Sequence, residues 1–221
     1  MNVSKIIVAA FVFLFSGVHA MEPVCINFAQ GADCAKCMDY LVDLKIETFR
    51  EFPYLYIGTQ EFEREYIGGY PKNQDSCFAL AYVGQELAGI LTGTPLQVIC
   101  DREADILKAF TQLELHIPDY YFFGEVITLE QFRNQGIATK NFEVLEQHAR
   151  KLGYKHVCFI TVEREDTHPL KPENYKGPTS LFIKLGYAKT TMHFVWVWPT
   201  LQLDGTVQNV ENIVAMWVKN L

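Results

Sequence analysis

Positive charge is scarce in this chain and nowhere clustered. Among 221 residues, 19 Lys and Arg stand against 26 Asp and Glu, for a formal charge of −7. A surface that tracks nucleic-acid phosphates needs grouped cations, so nucleic acid is not an expected partner. Metal-ligand spacing is also missing. Cys34 and Cys37 form a single C-x-x-C, with neither a second pair nor a His-x-x-x-His to complete four ligands, so no metal site is expected. There is no internal repeat and no low-complexity stretch. The apolar run 6–15 is about half the ~20 residues that a bilayer span requires, so no stable membrane span is expected.

What is present is apolar mass. With 49% hydrophobic and 14% aromatic residues, the chain can bury one substantial core, and residues 21–221 read as a single domain. The first twenty residues differ from the rest. Lys5, the apolar run 6–15 and then Ser16-Gly17-Val18-His19-Ala20 match a secretory signal, which predicts an exported, periplasmic or secreted protein. Met21 offers the competing start, which would leave the protein cytoplasmic. Six cysteines follow, Cys25, Cys34, Cys37, Cys77, Cys100 and Cys158, and in an exported chain a 34–37 disulfide is one open pairing among many. The acidic balance is compatible with a cationic amine as substrate.

Periodicity predicts mixed α/β structure. Residues 23–29 read as a strand, 33–49 as a helix with Leu41, Leu44 and Thr48 on one face, and 59–66 as a short charged helix. Strands 77–83 and 86–92 meet at Gly84-Gln85, a tight hairpin signal. Residues 102–115 read as irregular or partly helical. A strand over 120–129, a helix over 134–152, a strand over 156–162, a short helix over 179–184 and strands over 191–198 and 213–218 complete the order. Alternation puts Trp196 and Trp198 on one face of their strand, where core and interface are both open readings and an oligomer is compatible.

The junction at Arg133-Asn134-Gln135-Gly136-Ile137-Ala138 carries the chemistry. Here a strand gives way to a helix start, where backbone N–H groups lack intrahelical partners and the helix dipole adds positive charge. Gly136 and Ala138 keep the approach open, and Arg133 adds a charged rim, so the turn is read as a pyrophosphate cradle.

This R-x-x-G-x-A turn, the strand before it, the short helix ending Leu185-Gly186-Tyr187 and the two final strands together resemble the GNAT superfamily of acetyl-CoA-dependent N-acetyltransferases. The likeness covers nearly all of residues 23–221. One subgroup is resembled further in Thr48-Phe49-Arg50-Glu51-Phe52-Pro53-Tyr54-Leu55-Tyr56, in Phe123-Gly124-Glu125 and in the stretch from His168 through Pro172 to Tyr175. The resemblance implies a twisted, mixed, mostly antiparallel sheet flanked by helices and splayed beside its fourth strand. It implies acetyl-CoA as cofactor, with pantetheine pairing against Val126, Ile127 and Thr128 and pyrophosphate held by Arg133 through Ala138 and Thr139. Ala138 stands where many relatives carry glycine.

Acetyl transfer to an amine needs a proton acceptor and a polarised carbonyl. Glu125, directly before the pantetheine-pairing segment, is the candidate base, with burial expected to raise its pKa. Many relatives place this Glu one or three residues earlier, at positions held here by Gly124 and Phe122. The family's usual general-acid Tyr is replaced by Phe182, which leaves Tyr175 as the candidate, while Tyr187 reads as core. Arg50, Tyr54, Tyr56 and His168 are the expected acceptor-binding residues and suit an anionic or amphipathic amine, on a small molecule or a peptide. Two competing readings stay open: a non-catalytic acyl-CoA-binding protein of this fold, and an exported effector acetyltransferase.

Overall fold

Alternating apolar residues and the turn at Gly84 and Gln85 generate the first hairpin, and the rest of the sheet grows from it. The computed structural model describes residues 23–221; the signal-like segment 1–20 and the alternative start at Met21 lie outside them. Strand β1 (Val24–Gln30) pairs antiparallel with β2 (Cys77–Val83), which turns into β3 (Glu86–Pro95). Next come β4 (Tyr120–Thr128), β5 (His156–Val162), β6 (Ala188–Leu201) and β7 (Val207–Asn220), in the spatial order β1-β2-β3-β4-β5-β7-β6. Among the described strands only the neighbours β4 and β5 pair parallel, so the sheet is mixed and mostly antiparallel, as expected.

Among the described residues six α-helices cover the sheet: α1 (Met38–Phe49), α2 (Gln60–Ile67), α3 (Leu96–Cys100), α4 (Ala104–Gln112), α5 (Ile137–Lys151) and α6 (Thr179–Lys184). Several boundaries depart from the sequence reading for local reasons. Residues Gly31–Cys37 form a 3-10 turn, so the α-helix begins only at Met38. Helix α5 starts at Ile137 because Asn134 and Gly136 take left-handed φ values of 64° and 79°. The last two strands each run 14 residues, longer than expected, because they pair with each other well past the body of the sheet.

Two layers of core result. On one face α5 and α6 pack Phe142, Leu145 and Phe182 against Tyr121, Phe123, Phe159 and Trp217. On the other, α1 and α2 close over Phe78, Leu80, Ile90 and Ile127, while α3 and α4 cover Phe122, Cys158 and Met216. Trp196 and Trp198 both face this second layer, where the Trp198 indole donates to the Tyr54 carbonyl at 3.2 Å; that contact supplies the cover the sequence left open. All six cysteines are free thiols, and Cys34 points its Sγ at the carbonyls of Ala29 and Ser76 at 3.6 and 3.7 Å instead of bridging Cys37.

Phe142 is fully buried at the centre of the first layer, with ring centroids 5.4 Å from Tyr187, 5.6 Å from Phe123 and 5.8 Å from Phe159. Truncation to Ala removes those contacts and leaves a cavity. Phe142→Ala is expected to lower unfolding free energy by about 3–5 kcal/mol in urea denaturation, with the m-value unchanged.

Candidate active site

One extra residue in β4 places the central carboxylate. Leu91 pairs with Val126 and Gly93 with Phe123, so two steps on β3 oppose three on β4. This bulge at Gly124 reverses the alternation. Phe123 points into the α5 layer, while Glu125, two residues on, points with Ile127 toward α1 and α2. Gly124 is required by crowding: a Cβ there would lie 2.2 Å from the Tyr70 hydroxyl and 2.8 Å from Thr92 Oγ1.

Those two groups hold Glu125, which is 4% exposed. The Thr92 hydroxyl donates to Oε2 at 2.6 Å and accepts the Glu125 N–H at 2.9 Å, and the Tyr70 hydroxyl donates to Oε2 at 3.3 Å. Lys45 Nζ donates to Oε1 at 3.1 Å and lies 2.9 Å from Glu63 Oε2. Lys45 sits on the inward stripe of α1 with Leu41 and Val42, a face rotated from the Leu41, Leu44, Thr48 stripe that periodicity favours. Its ring neighbour is Tyr66, 4.3 Å from Nζ. Glu63 is fully buried on α2 and accepts from the Tyr56 hydroxyl at 2.5 Å.

Burial alone would raise the Glu125 carboxyl, but the Lys45 ammonium and the Thr92 hydroxyl outweigh it and hold the group below its ordinary value. This corrects the expectation of a raised carboxylate. Burial likewise pulls Lys45 down, and Glu125 and Glu63 together push it above the ordinary lysine value. The pair is therefore charged at neutral pH.

Beside Glu125 the sheet opens. Strands β4 and β5 pair only from Tyr120 to Phe122 against His156 to Cys158, and beyond them β4 has no neighbour on that side. Two clefts flank the gap. One, of about 460 Å³, is lined by Gly124, Val126, Phe159, Thr161, Tyr175 and Phe182 on the α5 and α6 side. The other, of about 430 Å³, contains Glu125, Lys45, Glu63, Tyr66 and Trp196. Tyr54, Gly124, Ile160 and Val162 line both, so the clefts meet through the sheet.

The aromatic loop after α1 is pinned where it reaches this junction. Arg164 donates to the Pro53 carbonyl at 2.9 Å and to the Tyr54 carbonyl at 3.3 Å, and the Leu201 N–H donates to the Leu55 carbonyl at 2.8 Å. Tyr54 stacks on Phe49 at 4.3 Å, and burial pushes its phenol up to about 12. Tyr175 meets Phe52 edge-on at 4.8 Å, and burial raises its phenol too. Of the expected acceptor residues, Tyr54 and Tyr56 line the second cleft, whereas Arg50 is exposed and His168 packs on Phe52 at 5.6 Å; neither lines a cleft. Tyr187 is buried and donates to Glu146 at 2.9 Å, away from both. Lys45, Glu63, Tyr66, Tyr70 and Thr92 were missed. The one available signal was a lysine on the apolar stripe of a helix, and its partners lie 18 and 80 positions away.

From the first cleft, Val126, Ile127 and Thr128 lead along β4 to the turn before α5. Arg133 Nε donates to the Thr128 carbonyl at 3.3 Å, and its other arm pairs with Glu51 at 3.0 Å. Asn134 and Gly136 are exposed, Gln135 donates to the Gln131 carbonyl at 3.1 Å, and Ile137 is buried, with Ala138 and Thr139 half-buried behind it. A Cβ at Gly136 would meet nothing within 4 Å, so the space above the first-turn amides is open. The residues fit a pyrophosphate group.

Comparison with known proteins agrees with this geometry. No curated protein matches the chain in sequence. Among solved structures, a ribosomal-protein-alanine N-acetyltransferase from Brucella melitensis is similar at TM-score 0.57 and 11% identity, covering 89% of this chain and 99% of its own. An N-acetyltransferase from Staphylococcus aureus Mu50 is similar at 0.55 and 12%, covering 90% and 99%. Arabidopsis thaliana NAA60 in complex with a bisubstrate analogue is similar at 0.53 and 10%, covering 90% and 99%. At these identities the likeness speaks for the fold. The family model for the acetyltransferase (GNAT) family matches residues 39–170, and the chain therefore belongs to that family of acyltransferases.

Proposed function

We propose that the protein is an acetyl-CoA-dependent N-acetyltransferase that moves an acetyl group directly to a primary amine of a small molecule or peptide. The observation that carries this reading is the meeting of the two clefts at Gly124, with a phosphate cradle beyond one and a buried anion in the other. Acetyl-CoA, when bound, supplies a thioester-activated acetyl group. The backbone of Val126, Ile127 and Thr128 is the edge that would hold pantetheine, and the residues Arg133 to Thr139 would hold the pyrophosphate, with Arg133 exchanging Glu51 for phosphate oxygens. Export is a separate proposal that rests on residues 1–20 alone.

On the acceptor side, Glu125 is the fixed anion toward which an amine proton can move, directly or through one water. A carboxylate held below its ordinary value is a weak proton acceptor, so its main contribution is to orient the amine. Phe182 packs in the core and carries no proton, which leaves Tyr54 and Tyr175 as the phenols of the cofactor-side cleft.

Three outcomes follow. Saturating acetyl-CoA raises the Tm of residues 21–221, since a ligand at a hundredfold its Kd adds about 2.7 kcal/mol, and Gly136→Asp abolishes the shift; no shift in the parent protein would sink the cofactor assignment. Glu125→Gln lowers turnover about a hundredfold and leaves acetyl-CoA affinity unchanged, whereas unchanged turnover removes Glu125 from the chemistry.

The third concerns Lys45. Glu125, lowered in the fold, contributes stability above its ordinary value of 4.5 that is lost as pH falls through the folded value. Lys45, raised in the fold, contributes below its ordinary value of 10.5 and is lost as pH rises through the folded value. The pair is thus at full strength between those values. Lys45→Met should cost about 3–5 kcal/mol at neutral pH, because two carboxylates stay buried without their cation. It should also bring an acid limb into the kcat/KM profile that the parent protein lacks above about pH 6. An unaltered profile would show that Lys45 does not set the ionisation of Glu125.

A further inference from the structure

The acceptor-side cleft carries more negative charge than its one lining cation offsets. Four carboxylates line it, Glu63, Glu103, Asp105 and Glu125, against the single cation Lys45. Lys45 is already shared between Glu125 and Glu63. Glu63 Oε2 is buried with the shared Lys45 ammonium, 2.9 Å away, as its ion partner and no further donor. Glu103 has no ion partner among the described residues, is half-buried, and has its carboxyl raised by that burial. Its sequence neighbour Arg102 donates to the Tyr66 carbonyl and lies over the Tyr66 ring at 4.5 Å, so its charge offsets the burial of Glu103 only in part. Leaving a desolvated carboxylate uncompensated is costly, and a ligand cation relieves that cost.

The walls fit the same ligand. Trp196 and Trp198 present aromatic surface to the cleft, which suits an aliphatic stem and attracts a cation at the ring face. A volume of about 430 Å³ is that of a small-molecule site. Arg50, the residue that made an anionic acceptor attractive, is exposed and lines neither cleft.

Resting on the acetyltransferase reading above, we propose that the acceptor is a small dicationic amine. Its primary amine enters toward Glu125, and a second positive group on a slender apolar body is held at the rim by Glu103 and Asp105. Reaction at the inner amine needs that nitrogen neutral, and the Lys45 ammonium beside Glu125 disfavours a second positive charge there, while the rim favours the distal one.

Calorimetric titration into protein saturated with coenzyme A tests this with hexamethylenediamine, hexylamine and aminocaproate. These are chains of one length carrying two positive charges, one positive charge, and one positive charge offset by a carboxylate. The diamine is expected to bind at least about tenfold more tightly than hexylamine, roughly 1.4 kcal/mol, with aminocaproate weakest. Glu103→Gln combined with Asp105→Asn should bring the diamine to the level of hexylamine. Equal binding of diamine and hexylamine, preference for aminocaproate, or no amine binding while coenzyme A binds would each overturn the inference and leave the acetyltransferase reading standing. Failure of coenzyme A itself to bind would instead overturn that reading, and this one with it.

Discussion

A single extra residue in β4 is the constraint on which the site depends. Without the bulge at Gly124, Glu125 would share the face of Phe123 and point into the apolar layer under α5. With it, the carboxylate reaches Lys45, Thr92 and Tyr70 on the opposite face, and the strand turns away from β5 just where pairing ends. The same local irregularity therefore aims the charged group and lies beside the gap through which the two clefts meet. Only glycine fits, because the Tyr70 hydroxyl occupies the space a side chain would need.

The polar cluster behind Glu125 is expensive to bury and is held by mutual satisfaction. One ammonium serves two carboxylates, and hydroxyls from Tyr56, Tyr70 and Thr92 take up other oxygens. Such networks add little net stability compared with an apolar core of the same shape, but they are costly to break. Their value here is geometric: Lys45 of α1 and Thr92 of β3 hold the β4 carboxylate directly, and Glu63 of α2 fixes it through the shared ammonium. The aromatic loop is fixed by different means, through backbone carbonyls bound by Arg164 and main-chain pairing with β6.

The family's usual phenol is absent in a physically consistent way. Phe182 lies between Phe159, Phe142 and Trp217, with centroids at 4.7, 6.1 and 5.5 Å, where an unpaired hydroxyl would be desolvated. Tyr54 and Tyr175 instead come from the two loops that border the clefts.

By itself the sequence determined the sheet class, nearly every strand, the hairpin at Gly84 and the open turn at Gly136 that starts α5. These depend on short-range chemistry: side-chain alternation, turn residues and the unpaired amides of a helix start. It also marked Tyr54, Tyr56 and Tyr175, which the fold brings to the clefts, together with Arg50 and His168, which it does not. Tertiary structure alone decided the direction of the Glu125 ionisation, the burial of Lys45 and Glu63, and the acidic character of the cleft that holds them. Periodicity treats a lysine as outward, so the cation that lowers Glu125 goes unseen, and it counts β4 without its bulge. Only the convergence of α1, α2 and β4, distant in sequence, gives a buried ammonium the partners that make its burial tolerable.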